Sequence, residues 1–135
     1  MMSGMRDESR RRLETIAAEL PEAEWEASGR HVTFRVRGRT FAYLLDDHQG
    51  DGILGVVSKA APGEAEALIA GDPERYYPPA YLHHRGWIGL RLDREPVDWE
   101  EVAGLVTDSY LLVAPKRLAR EAIGGSRSSP GDARR

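Results

Sequence analysis

The sequence predicts an α+β two-layer sandwich, in which an antiparallel sheet packs its helices on one face. Three consecutive segments with strand patterns are joined by short connections, which suit antiparallel strands but not parallel ones. Helical patterns stand at both ends of the chain, and another forms a crossover between strands. At 135 residues, the chain is long enough for one core and too short for two ordinary domains.

The first element is predicted as an amphipathic helix over residues 6–20. Its apolar residues recur at i, i+3, i+4 and i+7, which places them on one face. Pro21 ends the helix, because the residue before a proline is disfavoured in helical conformation. Residues 22–26 then form a connector or a short edge strand. The apolar residues of the helix are Leu13, Ile16, Ala17 and Leu20.

A β-hairpin is predicted over residues 31–45. Apolar and polar residues alternate over 31–37, which is the period of a half-buried strand, and a second strand follows over 40–45. Gly38-Arg39 is interpreted as a two-residue loop with a type II′ turn. The cross-strand pairs are then Val36 with Phe41, Phe34 with Tyr43 and Val32 with Leu45, while the opposite face carries Thr33, Arg35, Arg37 and Thr40.

The remaining elements follow from similar patterns. Strands are predicted over 53–57 and 87–92, a short helix after Pro62, and an extended aromatic loop over 76–82. Asp98 is predicted to cap a helix that ends before Pro115, with Glu101 completing a capping box. A last helix covers 116–122. The domain is therefore expected to span residues 6–122, between flexible termini at 1–5 and 123–135.

The composition excludes several classes of protein. There is no cysteine, so disulfides, thiolate catalysis and cysteine-ligated metals are excluded. No apolar run is long enough to cross a membrane, and the N-terminus lacks the apolar stretch of a signal peptide. We expect a cytoplasmic protein without a membrane partner, and a monomer is assumed.

Positive charge is concentrated in two parts of a chain whose net charge is −3. Residues 27–45 contain four arginines and no acid, and residues 115–135 contain six basic residues against two acids. Because the arginine fork matches phosphate, these residues predict a basic face that contacts phosphate groups. The alternative is an ordinary soluble surface of an arginine-rich protein. The predicted contacts are Arg35, Arg37, Arg39 and Arg91, with Lys116 and Arg117 as auxiliaries.

The aromatic loop gives a second functional hypothesis from a different class. Its rings could stack on bases, line a small-ligand pocket or contact another protein, although rings beside prolines more often pack within the protein. The candidate pocket residues are Tyr76, Tyr77, Tyr81, His83 and Trp87.

No catalytic, metal or cofactor site is predicted. The segment 47–52 resembles the start of a calcium loop, but Ser58 stands where the bidentate glutamate is needed. His83 and His84 are adjacent and lack a third ligand nearby in the sequence. The glutamates of the first helix follow the usual pattern of a solvated helix face. An enzyme is therefore not expected.

Several motifs together resemble the YjbR/MmcQ family over roughly residues 8–120. Each motif alone is unspecific, and the similarity rests on the order and spacing of the motifs. They are Thr33-Phe-Arg-Val36 with Gly38, Arg39, Phe41 and Ala42; Asp72-Pro-Glu-Arg-Tyr-Tyr77; Pro79-Ala-Tyr-Leu82 with Gly86-Trp87; and Tyr110 with Pro115-Lys-Arg-Leu118.

The resemblance implies a CyaY-like, or frataxin-like, α+β fold. It also implies a double-wing mode of DNA binding, in which β-hairpin wings touch the duplex, and it brings no catalytic residue set. The expected function is therefore non-enzymatic DNA binding without a cofactor.

Overall fold

A computed structural model describes the chain over residues 2–126, with side chains over 4–124. The helices are α1 (Met2–Ala18), α2 (Glu64–Gly71), α3 (Trp99–Val113) and α4 (Lys116–Ser126). The strands are β1 (Ala23–Ser28), β2 (His31–Val36), β3 (Arg39–Asp46), β4 (Leu54–Lys59), β5 (Tyr76–Tyr77) and β6 (Trp87–Arg91). Short 3₁₀ turns at His48–Gly50 and His83–Arg85 complete the regular structure.

The six strands form one antiparallel sheet in the order β1-β2-β3-β4-β6-β5. The edge strand β1 falls in the segment predicted as a connector or edge strand. The two-residue edge strand β5 falls at the start of the predicted aromatic loop. The sequence predicted four strands, and these did not include β1 or β5, because both are short or flanked by prolines and acids.

The helices pack on one face of the sheet, which confirms the predicted α+β architecture. Phe34 and Phe41 from the hairpin meet Tyr110 of α3 in the centre of this layer, and all three are at most 1% exposed. The Phe41 and Tyr110 rings meet edge to face, with their centroids 5.4 Å apart. The Tyr110 hydroxyl donates a 2.6 Å hydrogen bond to the Pro21 carbonyl, which ties the segment between α1 and β1 to α3.

The hairpin turn differs from the prediction. Its loop is Arg37-Gly38, not Gly38-Arg39, and both residues have positive φ, of 52° and 78°. Two positive φ values define a type I′ turn, whose twist suits a hairpin as well as that of type II′. Gly38 therefore occupies the second loop position and not the first, as was predicted. Arg37 occupies the first position and takes the left-handed conformation.

The predicted register of the hairpin is also wrong, because β3 contains a β-bulge. The observed pairs are Val36 with Arg39 and Arg35 with Thr40, and then Phe34 with Ala42, so Phe41 is the extra residue. The bulge lets both Phe41 and Ala42 join the helix-side core. It also moves Tyr43 and Leu45, predicted to pair with Phe34 and Val32, to the opposite face.

α3 caps the bulge with a buried serine. The Ser109 hydroxyl donates a 2.6 Å hydrogen bond to the Phe41 carbonyl and accepts one of 2.9 Å from the Lys59 amide. Ser109 is fully buried. Its hydroxyl therefore serves as the hydrogen-bond partner of two backbone groups that are not paired with each other across the irregular ladder.

The second face of the sheet carries a smaller apolar cluster. The segment 78–86 runs from β5 back to β6, and its Leu82 packs with Leu45, Val57 and Trp87. The ring of His48, beyond the end of β3, lies 3.3 Å from the Ala80 carbonyl in this segment. The loop thus covers the part of this face around Val57 and Trp87, while Thr33, Arg35, Thr40 and Tyr43 of β2 and β3 are half-buried.

The first and last helices extend beyond their predicted outer ends, and α1 ends at Ala18, two residues before its predicted end. α1 begins at Met2 and α4 ends at Ser126, so both enter the segments predicted as flexible termini. Residues 1 and 127–135 lie outside the described residues, and their predicted flexibility stays a prediction. Within residues 2–126, no helix combines the length and the apolar character needed to span a bilayer.

Asp98 caps α3 as predicted, but the capping box is incomplete. The Asp98 carboxylate accepts from the amides of Glu100 and Glu101, at 3.1 and 3.2 Å. The Glu101 side chain does not return to the cap. It accepts instead from the Tyr76 hydroxyl and the Arg75 guanidinium, and so joins α3 to β5.

Candidate nucleic-acid interface

Four basic residues meet where the β2–β3 turn lies beside the junction of α3 and α4. Arg37 and Arg39 come from the turn, and Lys116 and Arg117 begin α4. Arg37, Arg39 and Lys116 line a groove of about 410 Å³ with residues 112–115. We call these four residues the basic tip. Pro115 separates α3 from α4, and its carbonyl accepts a 2.9 Å hydrogen bond from the Ala119 amide in the first turn of α4.

The ion pairs of the basic tip leave two of its cations unpaired. Glu22 accepts two hydrogen bonds from Arg37, at 2.5 and 3.2 Å, and lies 3.8 Å from Arg117. The hydrogen bond from Arg37 lowers the pKa of Glu22. Over the part of the chain with described side chains, Arg39 and Lys116 form no ion pair.

All four side chains of the basic tip remain accessible. Arg37, Arg39, Lys116 and Arg117 are exposed, and the pairs that Arg37 and Arg117 form with acids are exposed too. Exposed ion pairs contribute little free energy, so a phosphate can replace the carboxylate as partner. The basic tip can therefore present four cations to a polyanion.

Arg35 lies on the opposite face of the sheet from Arg39. Because Val36 pairs with Arg39 and points into the helix-side core, Arg39 lies on the helix side, beside the end of α3. Arg35 pairs with Thr40 on the second face, and its guanidinium is 3.4 Å from the Glu26 carboxylate. The type I′ turn and the bulge thus divide the predicted basic face into two surfaces.

Arg91 does not join either surface. It lies on β6, three strands from β2, which is a separation of about 14 Å across the sheet alone. Its guanidinium makes two hydrogen bonds to Asp93, at 2.9 and 3.0 Å, and these raise the pKa of Arg91. Its charge is already neutralised at a half-buried site.

Three of the five predicted pocket residues are used in packing. Tyr76 is 5% exposed, and burial together with its hydrogen bond to Glu101 raises the pKa of its hydroxyl. Trp87 is 8% exposed and packs against Tyr43, with ring centroids 5.5 Å apart. The Tyr77 ring covers Gly55 and Gly89, and burial raises the pKa of its hydroxyl.

The contact of Tyr77 with the two glycines predicts a specific pattern of destabilisation. A Cβ atom at Gly55 or Gly89 would overlap Tyr77, so each alanine substitution should lower the free energy of unfolding by about 1–3 kcal/mol. The nearest atom is the Tyr77 hydroxyl at Gly55 but a ring carbon at Gly89. Tyr77→Phe should therefore reduce the destabilisation caused by Gly55→Ala but not that caused by Gly89→Ala. Chemical denaturation of the two double-mutant cycles measures this difference.

Gly104→Ala is the matched control for this cycle. Gly104 is an exposed residue of α3, and nothing lies within 4 Å of a Cβ atom built there. Its substitution should raise the free energy of unfolding by about 0.5–1 kcal/mol, because alanine favours a helix interior. If Gly55→Ala lowers the free energy of unfolding equally in the wild-type and the Tyr77→Phe backgrounds, the placement of the Tyr77 hydroxyl is contradicted.

Tyr81 and His83 differ from the other pocket candidates. Tyr81 is 71% exposed and has a φ of 67°, a conformation that few tyrosines adopt. The Nδ1 atom of His83 is buried and has no hydrogen-bond partner among the described residues. Tyr76 packs in the helix-side core, whereas Tyr77 and Trp87 pack in the second-face cluster, so the five candidates do not line one pocket.

The two aspartates of the 47–52 loop accept hydrogen bonds from backbone amides in and beside the loop. Asp47 accepts a 2.7 Å hydrogen bond from the Gly52 amide, and Asp51 accepts one of 2.9 Å from the Ile53 amide. In α1, Glu8 pairs with Arg11 and Arg12, and Glu14 pairs with Arg10. Across residues 4–124, no three histidine or acidic side chains stand close enough to hold a metal ion.

The second face carries two side chains that the sequence did not single out as candidates. Tyr43 is half-buried there, and Lys59 is exposed at the end of β4. Tyr43 was assigned to the core through the predicted register, so only knowledge of the bulge could have placed it on this face.

Comparisons with known proteins agree with this fold. A family model described as YjbR matches residues 18–112. Deinococcus radiodurans protein DR2400, a crystal structure with the family domain DUF419, shares 26% identity and a TM-score of 0.63 with the chain. The alignment covers 82% of this chain and 84% of that one. No curated protein matches the chain in sequence.

Proposed function

The chain belongs to the YjbR family, and from this premise we propose that it is a cytoplasmic DNA-binding protein that acts as a monomer. The family is not a known enzyme family, and the proposed activity is binding without catalysis or a cofactor. The ligand is duplex DNA, held through its phosphates by the basic tip.

The convergence of Arg37, Arg39, Lys116 and Arg117 carries the proposal. Two elements far apart in sequence bring these four cations to one exposed end of the molecule. The turn is a tight two-residue loop that joins β2 and β3, and the wing implied by the family resemblance is likewise a β-hairpin. Arginine and lysine contacts to phosphate fix a protein on a duplex without reading its sequence.

The charge of the whole chain limits the affinity. Its net charge is −3, so the surface outside the basic tip repels a polyanion. A protein that contacts few phosphates and reads no bases should bind with a Kd in the micromolar range or weaker. Neither Arg35 nor Arg91 is part of this interface, because one lies on the second face and the other is paired with Asp93.

A titration of labelled duplex DNA tests the proposal. For the wild-type protein, four phosphate contacts predict a slope of about −3 to −4 in a plot of log K against log salt concentration. Arg37→Glu combined with Arg39→Glu should weaken binding to all sequences alike and make this slope shallower. Both side chains are exposed, so the variant should keep its fold.

Arg11→Glu combined with Arg94→Glu is the matched control. It makes the same change in net charge at two exposed arginines, on α1 and after β6. Its duplex affinity should fall much less than that of the tip variant. Absence of wild-type binding at about 50 mM salt, or equal losses in the two variants, would show that the basic tip is not a DNA interface.

A further inference from the structure

The first strand of the sheet has backbone groups that point to an open edge. β1 (Ala23–Ser28) stands at one end of the strand order and pairs only with β2. Ser28 and His31 flank a two-residue turn, so they form a hydrogen-bonded pair. Because hydrogen-bonded and non-hydrogen-bonded pairs alternate along antiparallel strands, every second residue of β1 points its N–H and C=O groups away from β2.

These outward groups belong to Ala23, Trp25 and Ala27. The Ala23 amide donates a 3.2 Å hydrogen bond to the Leu20 carbonyl, which closes that end of the edge. Among the residues that the structure describes, none bonds to the outward groups of Trp25 or Ala27. Ala27 is exposed and Trp25 is half-buried, so the edge is accessible. Such an edge can pair with an extended segment of another chain.

The charged side chains of β1 determine which segment can pair with it. Glu24 and Glu26 are exposed on the second face, opposite Arg35 and Thr33 of β2. Over the part of the chain with described side chains, Glu24 forms no ion pair, and the pair of Glu26 with Arg35 is exposed and 3.4 Å long. An added strand would lie about 5 Å from β1 and about 10 Å from β2. It would therefore meet two carboxylates before it meets a cation.

A second copy of this chain does not suit the edge. Outward residues pair with outward residues when two edge strands join, so the registers centred on β1 place a glutamate of one copy directly opposite a glutamate of the other. Like charges in directly opposite positions destabilise a strand pair. The two acids thus disfavour self-association and favour a cationic partner.

We propose that β1 binds an extended basic segment of a partner protein, which adds one strand to the six of the sheet. The segment carries arginine or lysine at two positions separated by one apolar residue. Its cations lie opposite Glu24 and Glu26, and its apolar side chain packs beside the Trp25 ring, which contacts Phe34 at the rim of the helix-side core with centroids 5.9 Å apart. This inference goes beyond the proposed function, because the ligand is a protein segment and the site is the sheet edge.

A labelled peptide of alternating arginine and valine, about six residues long, tests the proposal with the full chain. Fluorescence anisotropy measures its affinity, and amide hydrogen exchange followed by NMR locates its site. The Trp25 and Ala27 amides should exchange fast in the free protein and slowly with the peptide bound, whereas the Glu26 amide, already bonded to β2, should change little. Unchanged exchange at Trp25 and Ala27 would overturn the proposal. Protection of both amides without peptide, in a protein that sediments as a dimer, would also overturn it, because the edge would then be a self-interface.

Variants of the two acids test the charge complementarity. Glu24→Gln combined with Glu26→Gln should raise the Kd of the peptide about 2- to 30-fold, because two cross-strand ion pairs are lost. Glu24→Lys combined with Glu26→Lys should instead bind a peptide with glutamate in place of arginine, and that peptide should protect the Trp25 and Ala27 amides. The control is Glu66→Gln combined with Glu95→Gln, the same charge change at exposed acids of α2 and of the segment after β6. Equal losses in the control and in the β1 glutamine variant would show that the peptide is held by net charge alone.

Ala27→Pro tests the backbone pairing separately. It removes an outward N–H group and no hydrogen bond to β2, and proline is tolerated in edge strands. The Kd of the arginine peptide should rise about 2- to 10-fold, while a thermal melt shows that the fold is kept. Undiminished binding by the folded variant would contradict the added strand. None of these measurements uses DNA, so their outcome is independent of the duplex titration.

Discussion

Replacing Phe34 by alanine is expected to lower the free energy of unfolding by about 3–5 kcal/mol. Phe34 is 1% exposed and lies in the middle of the helix-side core. Its ring contacts those of Trp25 and Phe41, with centroid separations of 5.9 and 6.4 Å. Truncation therefore removes apolar contacts from two neighbouring strands and leaves a cavity beneath α3.

Chemical denaturation of the wild-type and Phe34→Ala proteins measures this effect. Thr33→Ala is the control, because Thr33 is the adjacent residue of β2 and lies on the second face. Its effect should stay below about 1 kcal/mol. A loss well below 1 kcal/mol for Phe34→Ala would mean that the two faces of the hairpin had been interchanged.

Most secondary structure was predictable because its signals are local. The alternation of Val32, Phe34 and Val36 identifies both β2 and its buried face, and the 3.6-residue period identifies α1 and α3. Pro115 follows the end of α3 as predicted, whereas α1 ends at Ala18, before the residues that Pro21 restricts. These signals lie within the elements they describe, so one sequence is enough to read them.

The hairpin register was not predictable by the same reasoning. The pattern Phe41-Ala-Tyr-Leu-Leu45 is apolar throughout, so it does not say which residues face the helices. The choice depends on the bulge, which brings Phe41 and Ala42 into the core together. The bulge is also hydrogen-bonded to Ser109, which is 68 residues away from Phe41 in the sequence.

The candidate site shows the same limit. Sequence reasoning found Arg37, Arg39, Lys116 and Arg117, because positive charge is dense in both segments. It could not show that the turn meets the start of α4, nor that Asp93 neutralises Arg91. It assigned Tyr43 to the core, and only the structure places that ring on the second face.

The basic tip and the bulge share one hairpin. Arg37 lies in the turn between β2 and β3, Arg39 begins β3, and the bulged residue Phe41 follows two residues later. The stability of the bulge therefore bears on the proposed DNA interface.

Replacing Ser109 by alanine is expected to cost about 2–4 kcal/mol of unfolding free energy. The Ser109 hydroxyl satisfies the Phe41 carbonyl and the Lys59 amide, at 2.6 and 2.9 Å. A buried backbone group that loses its partner costs about 1–3 kcal/mol, and this substitution affects two such groups. Alanine also leaves the bulge without its bridge to α3, so the ends of β3 and β4 should loosen.

Ser58→Ala is the matched control for this prediction. Ser58 is also fully buried, but its hydroxyl has no hydrogen-bond partner among the described residues. Removing it should leave the free energy of unfolding unchanged or raise it slightly. Denaturation measures both variants, and hydrogen exchange of the Lys59 amide should accelerate in Ser109→Ala alone. Equal stabilities of the two variants would show that the two hydrogen bonds of Ser109 do not stabilise the bulge.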